Sequence, residues 1–144
     1  MDYIRMTREF INAMGQPSDL NISDVKDLCI LDLRMRLITE EVKELTEAYK
    51  DFINAISEGS NGDITPLEDN LKEKKQAFLK ELCDLQYVLS GLAVTFKLPF
   101  DEAFSRVHQS NMSKLGDDGK PIYRDDGKVL KGPNYRAPDL SDLI

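Results

Sequence analysis

Two acidic clusters hold the residues best suited to chemistry: Glu40-Glu41-Val42-Lys43-Glu44, and Glu81-Leu82-Cys83-Asp84 some forty residues later. Each lies in a segment of helical apolar periodicity. At about 100° per residue, Glu41 falls in the middle of its helix's apolar stripe, flanked by Leu37 and Ala48 on one side and by Ile38, Leu45 and Phe52 on the other. Glu44 lies at the edge of that stripe, while Glu40 and Glu47 point to the polar side. Burying an ionised carboxylate without a partner costs several kcal/mol or more, on the order of a whole core side chain's contribution. The second helix poses the same problem. It is apolar on nearly every side from Leu82 to Phe96, yet it carries Glu81 and Asp84 at i, i+3, with the small or slim Ala77, Gly91 and Thr95 on the Asp84 face. That stripe predicts a groove with room in it. Four inward carboxylates and few inward cations point to a site completed by a divalent metal ion.

A plainer reading makes the glutamates a solvated face tied by links such as Glu40 to Lys43 and Glu47 to Lys50. It suits Glu40 and Glu47. It does not suit Glu41 and Asp84, whose neighbours on the helical wheel are apolar or small. A di-iron carboxylate bundle would need a Glu-x-x-His pair from each of two helices. His108 is the chain's only histidine and follows neither cluster, and it reads as a cap or packing residue. Oxygen-only ligation favours Mg²⁺, with Mn²⁺ as its substitute, over iron or zinc. Such sites commonly hold Mg²⁺ for the phosphates of a substrate.

The elements that must position these residues follow from periodicity and punctuation. Residues 2–14 read as a helix with Tyr3, Ile4, Met6, Phe10, Ile11 and Met14 on one face, closed by Gly15-Gln16-Pro17. Asn21 or Ser23 is the expected cap of a second helix, about Asp24 to Ser57, long enough that a kink or break is expected. Residues 58–63 read as a flexible connection. Thr65-Pro66-Leu67-Glu68 reads as a capping box opening a third helix to about Lys97, and a fourth follows from Phe100 to Met112 with Phe104, Val107 and Met112 inward.

After Lys114 the character changes. Asp117-Asp118-Gly119-Lys120 and Asp125-Asp126-Gly127-Lys128 read as two turns, and the extended pieces Pro121-Ile122-Tyr123 and Val129-Leu130 predict a small hairpin. Neither copy has the spacing or terminal Glu of a calcium loop. The fold class is all-α: a bundle of four main helices with a loop-rich C-terminal tail, residues 1–144 as one domain and 114–144 as its lid or tail. Lys114, Lys120, Arg124, Lys128 and Lys131 make the densest basic stretch, suited to a polyphosphate ligand or to no role beyond a charged loop. Gln16, in the loop closing the first helix, offers an amide able to read a nucleobase edge.

The bulk numbers agree. The 144 residues are one domain's worth, 41% of them hydrophobic, and 26 acidic against 19 basic residues give a net charge of -7. That balance argues against binding a nucleic-acid polymer. With no CxxC or Cys/His spacing, Cys29 and Cys83 are expected as buried free thiols. No signal peptide or membrane span is evident, which predicts a soluble, cytoplasmic protein.

Glu40-Glu41-x-x-Glu44 followed by Glu81-x-x-Asp84 resembles the metal-binding signature of the all-α nucleoside triphosphate pyrophosphatase superfamily, which includes MazG-type enzymes, dimeric dUTPases and phosphoribosyl-ATP pyrophosphohydrolase. The stretches Phe10–Pro17, Leu98–Ala103, Asn111–Pro121 and Lys131–Tyr135 resemble a MazG-like, phosphoribosyl-ATP-pyrophosphohydrolase-like subgroup. The likeness covers most of the chain outside 56–70. It implies a helical bundle assembled as a homodimer or dimer of dimers. It implies hydrolysis of a nucleoside triphosphate between the α and β phosphorus to a monophosphate and pyrophosphate. By match to the motif, Glu41, Glu44, Glu81 and Asp84 would bind Mg²⁺, and Glu40, with Glu41, would serve the attacking water. Asn111 and Lys114, with Gln16, Arg124 and Lys131, are the expected substrate contacts. A true phosphoribosyl-ATP pyrophosphohydrolase ranks lower, since that enzyme is typically shorter and lacks this tail. A non-catalytic module using the acidic groove for a cation or basic partner is the third reading.

Overall fold

The computed structural model describes residues 2–22, 24–58 and 65–144, and the chain divides into two compact units, Met1–Lys97 and Leu98–Ile144. Ser23, the connection at 59–64 and the side chains of the 65–67 capping signal lie outside the described residues. The described residues form four helices: α1 (Tyr3–Ala13), α2 (Val25–Glu58), α3 (Thr65–Thr95) and α4 (Phe100–Met112). Among the described residues there is no strand, in keeping with the all-α expectation. No described helix is long and apolar enough to cross a membrane.

In the first unit, local chemistry sets each helix end. Asp2 caps α1 by accepting from the Arg5 amide at 2.9 Å. The helix closes at Gly15, whose φ of 61° a glycine adopts without strain, and the Gln16 amide returns to the Ile11 carbonyl at 3.0 Å. Asp24, not Asn21, caps α2. Its carboxylate accepts from the amides of Lys26 (2.7 Å) and Asp27 (3.1 Å), and the Asp27 side chain accepts from the Asp24 amide at 3.3 Å. This is a capping box with aspartate at both positions. The expected break in α2 is absent. Its 34 residues contain neither glycine nor proline, and it runs on for about 51 Å at 1.5 Å per residue.

Helices α2 and α3 form a long hairpin, and α1 packs on α3. One turn before Glu81, Phe52 stacks on Phe78 (5.9 Å between centroids), with Tyr49 tilted against the same ring. Phe10 of α1 meets Tyr87 of α3 edge to face at 5.5 Å. The loop after α1 is stitched to the end of α3: the amides of Asp19 and Leu20 donate to the carbonyls of Val94 (3.2 Å) and Thr95 (2.8 Å). Those bonds satisfy acceptors that a helix end leaves open. The most deeply buried side chains, Thr7, Ile11, Ser90, Val94 and Thr95, gather around that junction.

Several expected core positions are exposed. Both cysteines are, and on α1 only Thr7 and Ile11 are buried while Tyr3, Met6, Phe10 and Met14 stand out. Three helices in one chain offer more apolar face than they can cover among themselves. Leu79, Leu82, Cys83 and Tyr87 of α3 line, with Tyr3 and Met6, an open cleft of about 560 Å³.

In the second unit, the tail is fastened to α4. Arg106 donates to Glu102 (2.9 Å), to the Asp139 carbonyl (3.0 Å) and to the Asp142 carboxylate. The Ser110 hydroxyl donates to the Arg136 carbonyl at 2.7 Å, and the Arg136 amide donates to the Ser113 hydroxyl at 2.9 Å. The face α4 turns to the tail is thus polar. Phe104 (63% exposed), Val107 and Met112 lie off it, exposed rather than inward. His108 is exposed too. Both Asp-Asp-Gly-Lys copies are turns built alike: the Asp118 and Asp126 side chains accept from the amides of Lys120 and Lys128, and Gly119 and Gly127 take positive φ. The second closes the expected hairpin, an antiparallel bridge between Tyr123 and Val129.

Candidate metal centre

Across the α2–α3 hairpin Asp51 pairs with Lys74, and Arg34 lies against Gly91. Between those two contacts, Glu41 and Glu44 of α2 meet Glu81 and Asp84 of α3. Glu41, Glu44 and Glu81 each bring one carboxylate oxygen to within 4.8 Å of the other two. Glu41 and Glu81 are the half-buried members, and the Glu41 Oε2 atom is shut from solvent with no hydrogen-bond partner. Burial raises the Glu41 carboxyl above its ordinary value, and the charges of Glu44, Asp84 and Glu81 push the same way. Three carboxylate oxygens this close together, with a buried and unbonded oxygen on one of the three residues, are a donor set for a hard divalent cation.

Asp84 differs from the expectation. Its side chain is 41% exposed, and its Oδ2 is 2.7 Å from the Lys80 ammonium. Lys80 also lies 3.1 Å from both Glu81 oxygens. Its hydrogen bonds to Asp84 and then Glu81 raise the ammonium's pKa. The site therefore contains a cation the sequence reading left out. The signal was present, since Lys80 precedes Glu81 directly and stands at i, i+4 to Asp84. Glu40 and Glu44 are exposed, and Glu40 lies outside the three-oxygen cluster.

The expected groove along Gly91 and Thr95 is filled. Arg34, one α2 stripe position seven residues before Glu41, lies there only 9% exposed. A Cβ on Gly91 would meet Arg34 Nη1 at 3.5 Å and Thr7 at 3.8 Å. Arg34 donates through Nη2 to the Gln16 side-chain carbonyl at 3.2 Å, and burial lowers its pKa. It is the second functional candidate missed, although a cation on the apolar stripe could have been read from the same wheel.

The remaining candidates belong to the second unit. Lys114 donates to the Asn111 side-chain carbonyl at 2.7 Å, at the end of α4. The Lys131 ammonium lies 4.1 Å over the Tyr135 ring. A hydrogen bond with Ser110 lowers the Tyr135 phenol, and Lys131 and Lys114 contribute to the same shift. Arg124 is committed to its own turn through Asp126, the bond that raises the arginine's pKa.

No curated protein matches the chain. Residues 7–111 match the phosphoribosyl-ATP pyrophosphohydrolase family, a stretch that takes in the second half of α1, both acidic clusters and nearly all of α4. Members of this family are divalent-metal-dependent hydrolases of phosphoanhydride bonds, and the carboxylate cluster is the feature such chemistry requires. The chain belongs to the phosphoribosyl-ATP pyrophosphohydrolase family, within the all-α MazG-like nucleoside triphosphate pyrophosphatases, and is a nucleotide pyrophosphohydrolase.

Proposed function

We propose that the protein hydrolyses nucleoside triphosphates between the α and β phosphorus with Mg²⁺. The observation that carries this reading is the converging oxygens of Glu41, Glu44 and Glu81 with the unbonded, buried Glu41 Oε2. Glu41, Glu44 and Glu81 would hold the ion, with Asp84, now paired with Lys80, as a fourth carboxylate available to it. Bound there, Mg²⁺ neutralises phosphate charge and lowers the pKa of a bound water. Glu40 takes a proton from the attacking water. The water oxygen bonds to the α-phosphorus, the bond to the α–β bridging oxygen breaks, and a monophosphate and pyrophosphate leave. Asn111, Lys114 and Lys131 contact phosphates, and Gln16 contacts the base. Arg124 does so only if it leaves Asp126.

The exposed apolar side chains of α1, α2 and α3 favour a homodimer or dimer of dimers, because monomers rarely leave so much apolar surface contiguous. The cytoplasm, where nucleotides and Mg²⁺ are abundant, is the compartment this chemistry fits. The family match favours a second reading, phosphoribosyl-ATP as the substrate.

A panel of ribo- and deoxyribonucleoside triphosphates, dUTP and phosphoribosyl-ATP, assayed with Mg²⁺ for pyrophosphate against orthophosphate, separates these readings. Pyrophosphate from several triphosphates is the expected result. Turnover of phosphoribosyl-ATP alone establishes the second reading. Orthophosphate as the primary product rejects α–β cleavage, and Mg²⁺ binding without any turnover makes the chain a binding module.

A further inference from the structure

Arg34 is a buried cation without an anionic neighbour. Arginine is almost never fully buried unless paired, and an unpaired buried charge is strongly destabilising. Among the described residues it forms no salt bridge. Its acceptor among the described residues is the Gln16 side-chain carbonyl oxygen at 3.2 Å, and its Nε is buried and unbonded. The Thr95 hydroxyl, fully buried on α3, is unbonded as well. A guanidinium serving only to hold helices together would be better answered by a carboxylate. Here it is spent on a single amide at the surface.

That pairing has a chemical consequence. A guanidinium has five donors and no acceptor, so only the oxygen of a glutamine can face it. Turned about, the amide would set N–H against N–H. Gln16 is thus held with its carbonyl inward and its two N–H donors free, while its residue remains exposed. The backbone on either side is fixed as well, by the Gln16 amide on Ile11 and by Pro17. Arg34 also lies on the same stripe as Glu41, two turns and about 10 Å along α2. That separation is comparable to the reach from the α-phosphate to the far edge of the base in an extended nucleotide.

We infer that Arg34 is a specificity-positioning residue, which orients Gln16 as a pure donor and so selects nucleotides whose base presents a carbonyl oxygen over those presenting an amino group. The inference rests on the nucleotide-hydrolysis reading above. A keto oxygen of uracil, thymine, guanine or hypoxanthine accepts from the Gln16 amide. The amino group of cytosine or adenine meets it donor to donor, leaving both unpaired, a mismatch of about tenfold or more in kcat/KM.

The test measures kcat/KM by pyrophosphate release for two pairs of substrates that exchange a carbonyl for an amino group: dUTP against dCTP, and dITP against dATP. The wild-type chain should favour the keto member of each pair by about tenfold. Arg34→Met keeps the bulk and frees the amide to turn, so both ratios should fall toward one, the change carried by KM. Arg34→Lys retains a donor-only partner and should restore the preference. Gln16→Glu presents acceptors only and should move the preference toward dCTP and dATP. That variant leaves Arg34 intact, so it decides the question even if Arg34→Met does not fold. A flat ratio in the wild type, a preference confined to one pair, or a ratio retained in Arg34→Met or in Gln16→Glu overturns the inference while hydrolysis stands. No pyrophosphate from any of the four, nor from the ribonucleoside triphosphates of the panel above, removes the nucleoside-triphosphate reading, and this inference with it.

Discussion

Replacing Glu41 with glutamine should abolish hydrolysis and most of the stabilisation conferred by Mg²⁺. The substitution keeps the side chain's volume and removes its charge. Glu41 is the member of the cluster with a buried, unbonded oxygen, so it has the most to gain from a cation. A metal ion at a reacting phosphate contributes several kcal/mol, and losing about 4 kcal/mol lowers kcat/KM by about three orders of magnitude. A ligand that binds only the folded chain at a hundredfold excess over its Kd stabilises by about 2.7 kcal/mol. For a chain of this length that raises Tm by about 5–10 °C. Glu41→Gln should lose most of that rise. In metal-free buffer it should be as stable as the wild type or more so, because one of several mutually repelling carboxylates is gone. Glu47→Gln is the control: Glu47 is exposed and 3.9 Å from Lys43, and its loss should change little. Melts followed by circular dichroism with and without Mg²⁺, beside a pyrophosphate-release assay, decide it. An active Glu41→Gln with an inactive Glu47→Gln would place the inward face of α2 on the wrong side.

What the sequence made legible was whatever one helix dictates by itself. The inward position of Glu41 follows from its neighbours at i−4, i−3, i+4 and i+7 on one stripe. The bounds of α4 follow from Leu98-Pro99 ahead of it and the polar, glycine-containing stretch beyond Ser113. The hairpin follows from Asp-Gly between two extended pieces, since Gly127 supplies the positive φ the turn needs. What escaped reading depends on partners from elsewhere in the chain. Lys80 went unread, although a long flexible ammonium reaches two carboxylates on its own helix. Arg34 faces Gly91, a pairing set by the register of α2 against α3 and by the approach of α1. Residues so far apart in sequence carry no mark of that register. Cys83, Phe104 and Met112 were expected inside because a wheel shows only that a face is apolar, not whether this chain supplies its cover. The Arg106–Asp142 clasp joins α4 to a residue 36 positions on, across the irregular tail, where no periodicity exists to read.

Replacing Lys114 with methionine should raise KM for the nucleotide about tenfold, with a smaller change in kcat. Removing a charge-assisted contact to a phosphate costs about 1.5–3 kcal/mol, or roughly ten- to hundredfold in binding. Lys114 is bonded at present to the neutral Asn111 side chain, not to a carboxylate, so its charge remains available to an anion. Lys131 lies over the Tyr135 ring in the same unit, and both ammonium groups act on the Tyr135 phenol. The tail's path depends on Gly132, whose amide donates to the Lys114 carbonyl at 2.9 Å. A Cβ there would fall 2.7 Å from that same oxygen and closer still to the Leu115 carbonyl. Gly132→Ala therefore displaces the tail from the end of α4 without touching a charge, and it should reproduce part of the Lys114→Met effect. Lys120→Met, in an exposed turn, is the control. Ending the chain after Ser113 removes the whole basic stretch and should raise KM further. Residues 1–97 form their own compact unit, so α1–α3 should keep their helical signal in circular dichroism. A truncated chain with full kcat/KM, or a Lys114→Met variant no weaker than Lys120→Met, would show that the tail does not bind phosphate.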